Sequence, residues 1–205
     1  MLSLAASVVL HNSFSPRIDT CVDPESLRRM SAFERAQDLE IMVYKRDEDP
    51  LRIEGYLQTG SLTEAPTRVR LMRSYDLAKL VQSGLGLLQH FPLPSDRNEI
   101  RIVDIDGQAV PVRLRARETG ESPFVTGYIV AIGNDPVADP ASAALRHGAG
   151  SIFRGPKPIT ILLIEAARTP AEADVQEAAI LEWLTAAWRE FRATCDPPTA
   201  RSTSS

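Results

Sequence analysis

The stretch Arg146-His147-Gly148-Ala149-Gly150-Ser151, with Arg154 and Lys157 just beyond it, holds the side chains of this sequence best suited to chemistry. Glycines let backbone N–H groups close on an anion, and a serine beside them can bond a phosphate or act as a nucleophile. His147, Gly148, Gly150, Ser151, Arg154 and Lys157 are therefore the candidate ligand-binding set, for an anionic or phosphorylated ligand. The stretch departs from two familiar motifs. The Gly-Lys-Ser/Thr ending of a Walker loop is absent, and Ser151 is followed by Ile152 and Phe153, with no glycine to make a nucleophile elbow. A flexible loop that needs glycine for its turns accounts for the same residues.

A second set is basic. Arg113, Arg115 and Arg117 alternate with Val112, Leu114 and Ala116, and Arg68 and Arg70 alternate with Thr67, Val69 and Leu71. At a two-residue period each set points to one face of a strand. The five arginines form a basic strip if the two strands lie close, a candidate surface for another protein, with RNA or an anionic membrane surface as further partners. Alternating arginine is also how a half-exposed strand stays soluble and avoids edge pairing. Aromatic residues make up 6% of the chain and do not interleave with these arginines, so a stacking platform for single-stranded nucleic acid lacks its parts.

Metal chemistry finds little support. Asp104-Ile105-Asp106-Gly107 opens like a calcium loop, but the twelfth position, where such a loop needs Glu, holds Arg115. Asp47-Glu48-Asp49 reads as a solvated turn. His11, His90 and His147 and the cysteines Cys21 and Cys195 have no ligand spacing. The expectation is no metal, no cofactor and no catalytic set, with two free thiols in a reducing, cytoplasmic setting. A net charge of -4 gives nothing with which to neutralise many phosphates, so nucleic acid is not the expected partner. No apolar run approaches the roughly 20 residues that span a bilayer. Residues 2–10 read as a first strand or tethered arm, with peripheral membrane contact as the alternative.

The elements that must position these residues follow from hydrophobic period and turn chemistry. Asp23-Pro24-Glu25 has the cap, proline and acidic residue of a helix start, and the helix is predicted to reach about Gln37 with Leu27, Met30 and Phe33 on its apolar side. Strands are predicted at 39–44, 51–57 and 67–72. Ser74 caps an amphipathic helix carrying Leu77, Leu80, Val81, Leu85, Leu88 and Phe91, ended by Pro92 and Pro94. Asp106-Gly107 between strands 99–105 and 108–115 is the signature of a tight hairpin. A strand at 124–132 closes on Gly133-Asn134, and 133–157 is a long aperiodic loop. Residues 159–164 are apolar without alternation, as in a strand buried on both faces. Thr169-Pro170-Ala171-Glu172 is a capping box. The helix behind it runs to about Arg192, with Ile180, Trp183, Leu184, Ala187, Trp188 and Phe191 on one side. That stripe reads as core before it reads as a partner-binding face.

Several strands in a row joined by short turns define an α+β fold: a largely antiparallel sheet of about six to eight strands with two or three helices packed on one face, the other face wet. Residues 1–22 are the arm or first strand, 23–195 a single domain, and 196–205 a disordered tail. From residue 51 to 192, a strand leading into Arg73-Ser74-Tyr75-Asp76-Leu77-Ala78-Lys79, then strands and a closing helix, resembles the layout of rhabdovirus matrix proteins. That resemblance implies an assembly protein contacting membrane and nucleocapsid, and it transfers no site residues. The basic N-terminal arm of that family is missing here, and the pI of about 5.5 is acidic. The expected function is a non-enzymatic interaction or assembly protein whose partner is another protein or itself. The alternative is a small enzyme or anion binder using 146–157.

Overall fold

The computed structural model describes residues 29–43, 51–57, 67–75, 96–117, 123–139, 157–167 and 173–195. In chain order these are the short helix α1 (Ser31–Glu34), strands β1 (Ala36–Val43), β2 (Leu51–Leu57), β3 (Thr67–Ser74), β4 (Asp96–Ile105), β5 (Gln108–Arg117), β6 (Phe124–Ile132), β7 (Asp135–Pro136) and β8 (Ile159–Ala167), and the long helix α2 (Ala173–Cys195). The eight described strands form one sheet in the order β1-β2-β3-β8-β6-β5-β4, with β7 beside β6. Every described pairing is antiparallel.

Sequence chemistry explains the sharpest features. Asp106 and Gly107 have φ of 54° and 80°. Both are positive, as a type I′ turn requires. The turn holds β4 and β5 in an unbroken register from Ile105 opposite Gln108 to Asp96 opposite Arg117. β5 pairs with β6 only from Arg113 onward. Pro111, which has no N–H to give a neighbour, lies on the part of β5 that has left β6. The tip of the hairpin is fastened to α2 instead. Trp188 Nε1 and Arg192 Nη1 donate to Gln108 Oε1 at 3.3 and 2.8 Å, and Arg189 Nε lies 2.9 Å from Asp106 Oδ2.

The apolar stripe of α2 is core. Ile180, Leu184, Ala187, Trp188 and Phe191 are wholly buried, against Val69 and Leu71 of β3, Val112 and Leu114 of β5, Ile129 of β6 and Leu162 and Ile164 of β8. Trp183 lies at the rim, where its Nε1 donates to the Ala32 carbonyl at 3.0 Å and its ring meets Phe33 edge-on. Thus residues of both described helices share one buried cluster.

Three expectations need correction. The first concerns the opposite face, which is dry at its centre. Met72, Tyr128, Val130, Ile132, Ile159, Ile161 and Leu163 form a second buried cluster, 0–8% exposed. The central strands β8 and β6 carry apolar residues at both parities, which only a sheet covered on both sides can bury. Second, the first helix does not reach Gln37. Of its expected span the described residues hold a helix only at Ser31–Glu34, and β1 begins at Ala36. A bulge between Gln37 and Glu40, with Asp38 at φ 50°, lets β1 start early and still register with β2. Third, Gly133-Asn134 closes β6 as expected, but the loop expected from residue 133 does not begin there: the turn leads into β7, and Val137 N–H donates back to the Val130 carbonyl at 2.8 Å. The helix expected after Ser74, the capping box at 169–172 and the two terminal segments lie outside the described residues.

Gly127 of β6 sits under α2. A Cβ there would stand 2.3 Å from Ile180 Cγ2 and 2.9 Å from Leu184 Cδ1. Gly127→Ala should therefore lower stability by about 1–3 kcal/mol, the usual effect of overpacking a closed core. Urea unfolding monitored by tryptophan fluorescence checks this.

Candidate functional site

The structure divides the sequence-derived candidates. Of the 146–157 set only Lys157 is described: its Nζ lies 3.2 Å from Asp135 Oδ2, and both side chains are about half exposed or more. His147, Gly148, Gly150, Ser151 and Arg154 lie outside the described residues. Among the described residues no group of His, Cys, Asp and Glu could hold a metal ion. No helix among them is long and apolar enough to cross a membrane.

The basic candidates occupy the face of the sheet opposite α2, but not as one strip. Arg68 and Arg70 are on β3, Arg113, Arg115 and Arg117 on β5, and β8 and β6 lie between these strands. Arg70 stands in a row with Leu163, Tyr128 and Arg113, and Arg68 in a row with Glu165, Thr126 and Arg115. Arg70 and Arg115 are only 6% and 5% exposed. Their charges are largely spoken for. Arg70 donates to Glu54 through Nε at 3.0 Å and Nη2 at 3.2 Å, Arg52 also pairs with Glu54, and Arg68 lies 3.2 Å from Glu54 and 3.7 Å from Glu165. Arg113 Nε donates to the Ala138 carbonyl at 2.8 Å. Burial pushes the Glu54 carboxyl up, but the hydrogen bonds and charges of Arg52 and Arg70 outweigh it and hold its pKa below the ordinary value.

The β4 edge carries the other conspicuous arrangement. On the α2 side, Glu99 bonds Arg101 Nε at 2.7 Å and Arg97 Nη2 at 2.7 Å. The same two arginines reach Glu177 of α2 at 2.8 and 3.1 Å. Glu177 is 4% exposed, so this network ties the edge strand to the helix with its charge compensated. Hydrogen bonds from Arg101 and Arg97 bring the Glu99 pKa down to about 2. On the other side of β4, Ile100 and Ile102 are 45% and 65% exposed. β4 ends the strand order, and among the described residues nothing pairs with its outer edge. This surface was not among the sequence candidates. The signal was present, because Ile100, Ile102 and Asp104 share a parity that Arg97, Glu99 and Arg101 do not. It needed the knowledge that β4 is terminal.

Comparison with known proteins gives no match, whether to family models, to curated proteins or to solved structures.

Two outcomes follow for the charged clusters. Glu54→Gln removes the carboxylate against which Arg70 is buried and should destabilise the fold by about 3 kcal/mol, measured by chemical denaturation. The folded-state pKa values of Glu54, Glu99 and Asp106 are all lowered. Their contribution is complete above the unfolded-state values and is lost as pH falls through the folded ones. Unfolding free energy should hold level above about pH 5 and decline from about pH 4.5 towards pH 2. A flat profile across that range would contradict the assignment.

Proposed function

We propose that the chain is a non-enzymatic interaction or assembly protein that makes its contact through the open edge of its sheet. The supporting observation is the ten-residue strand β4 at the end of the strand order, with Ile100 and Ile102 exposed beside it. A terminal strand presents unpaired backbone donors and acceptors, and natural proteins blunt such edges with bulges, proline, lysine or short length. β4 has no bulge, proline or lysine and is long. Its charged residues Arg97, Glu99 and Arg101 lie on the α2 side, compensated by one another and by Glu177, which leaves Ile100 and Ile102 exposed on the other side. Exposed isoleucines on such an edge suit strand addition, in which backbone bonds give affinity and side chains give selectivity.

The arginines of β3 and β5 fit a secondary role. Arg70 and Arg115 are buried, and Arg113 is bonded to a backbone carbonyl, which leaves Arg68 as the accessible member among the described side chains. An anion site on 146–157 retains only Lys157 among the described residues, and that side chain faces Asp135.

A photo-reactive side chain placed at residue 102 should form a covalent adduct when the purified protein meets a concentrated extract of its source cells or its own copies. The same probe at Glu182, on the exposed side of α2, should not. Failure at residue 102 with adducts elsewhere would remove β4 from the account.

A further inference from the structure

We propose that the occupant of the β4 edge is the β4 strand of a second copy, paired antiparallel about a two-fold axis through Ile100; this rests on the reading above that the edge is the contact surface. The hairpin fixes which backbone groups are available. A two-residue type I′ turn makes Ile105 and Gln108 a hydrogen-bonded pair, so residues 103, 101, 99 and 97 in turn direct their N–H and C=O groups to β5. Residues 98, 100, 102 and 104 direct theirs to the open edge.

Few registers are open to a strand pairing with itself. Residues directly opposite must share a face, so some residue stands opposite its own copy. With Glu99 or Arg101 on the axis, like charges meet in a close, non-hydrogen-bonded pair, which is unfavourable. With Ile102 on the axis, Asp104 faces Ile100 and Glu99 faces Ile105. With Asn98 on the axis, the ladder shrinks to residues 96–100 and Ile102 stays in water.

Centring on Ile100 keeps the longest ladder, avoids like charges at its centre and joins the exposed isoleucines. The outward backbone groups of 96, 98, 100, 102 and 104 face those of 104, 102, 100, 98 and 96 of the second copy, about ten hydrogen bonds. Glu99 stands opposite Arg101 of the second copy, twice, in the close non-hydrogen-bonded pairs. On the other face Ile100 meets its counterpart, with the two Ile102 side chains diagonal to them, so the exposed isoleucines of both copies join in one patch. The exceptions are Asn98 opposite Ile102, Arg97 opposite Val103, and Asp96 opposite Asp104 at the two ends of the ladder. The result is one sheet continuous through two copies, closed by the two-fold so that no β4 edge is left open.

Sedimentation equilibrium of the full chain should show a dimer. Ile100→Lys should weaken it about tenfold or more, with the circular dichroism spectrum unchanged because residue 100 is exposed. Ile102→Pro removes an N–H that only the second copy uses and should do the same. Register is read by cysteine cross-linking in a Cys21→Ser, Cys195→Ser background. Ile100→Cys should oxidise to a disulfide dimer and Ile102→Cys alone should not, whereas Ile102→Cys mixed with Asn98→Cys should. A monomer at all concentrations, or a dimer indifferent to Ile102→Pro, overturns the proposal. Self-linking of Ile102→Cys without that of Ile100→Cys overturns the register. A monomer whose residue-102 photoprobe still labels a different protein defeats self-pairing alone, whereas absence of any residue-102 adduct defeats the edge reading as well.

Discussion

Burial of the central strands on both faces is the constraint on which the rest of this molecule depends. β8 lies in the middle of the sheet, between β3 and β6, and its residues are buried from Ile159 to Ile164 whichever way they point. A strand in that position has no wet side on which to place charge. Its neighbours are largely apolar at both parities where they flank it, as Val69, Leu71 and Met72 of β3 and Ile129, Val130, Ala131 and Ile132 of β6 are, and the buried Arg70 and Arg73 of β3 are bonded to Glu54 and to Thr160. Polar character is pushed outward along the sheet, towards β1 and β2 on one side and β4 on the other.

The two buried carboxylates arrive compensated. Glu54 sits among Arg52, Arg68 and Arg70, and Glu177 between Arg97 and Arg101. In each cluster one carboxylate with little access to water is served by several guanidinium groups. Arginine suits this role because its planar fork satisfies two carboxylate oxygens at once and it sheds water more readily than lysine. Such pairs add little net stability, because desolvation offsets their attraction. Their effect is to fix register: Glu54 stands opposite Arg70, and the Glu177 network sets how far α2 lies along β4.

Much of this was legible in the sequence. The Asp106-Gly107 hairpin, the strands 51–57 and 124–132, and the buried stripe of α2 appear where turn chemistry and hydrophobic period place them. The unalternating run of β8 already declared burial on both faces, yet the alternation of Arg68 and Arg70 and of Arg113 and Arg115 suggested a wet face. Period gives the side of a strand on which an arginine lies, but not whether that side is covered. Nor does it reveal that β8 and β6 separate β3 from β5, since strand order is a long-range property. The edge position of β4 was hidden for the same reason. Of the loop candidates, the described residues locate only Lys157.

The placement of β8 also bears on how the chain acquires its shape during synthesis. β1, β2 and β3 form one meander and β4, β5 and β6 another, each from neighbouring segments, but the two share no described ladder until the last strand enters between them. Until residues 159–167 have been made, the inner margins of β3 and β6, which carry valine, leucine and isoleucine, lack the strand that pairs with both. Such margins invite wrong partners on a crowded ribosome. β8 is the keystone of the topology: among the described ladders it alone joins the two meanders into one sheet, so their long-range connection waits on the last strand.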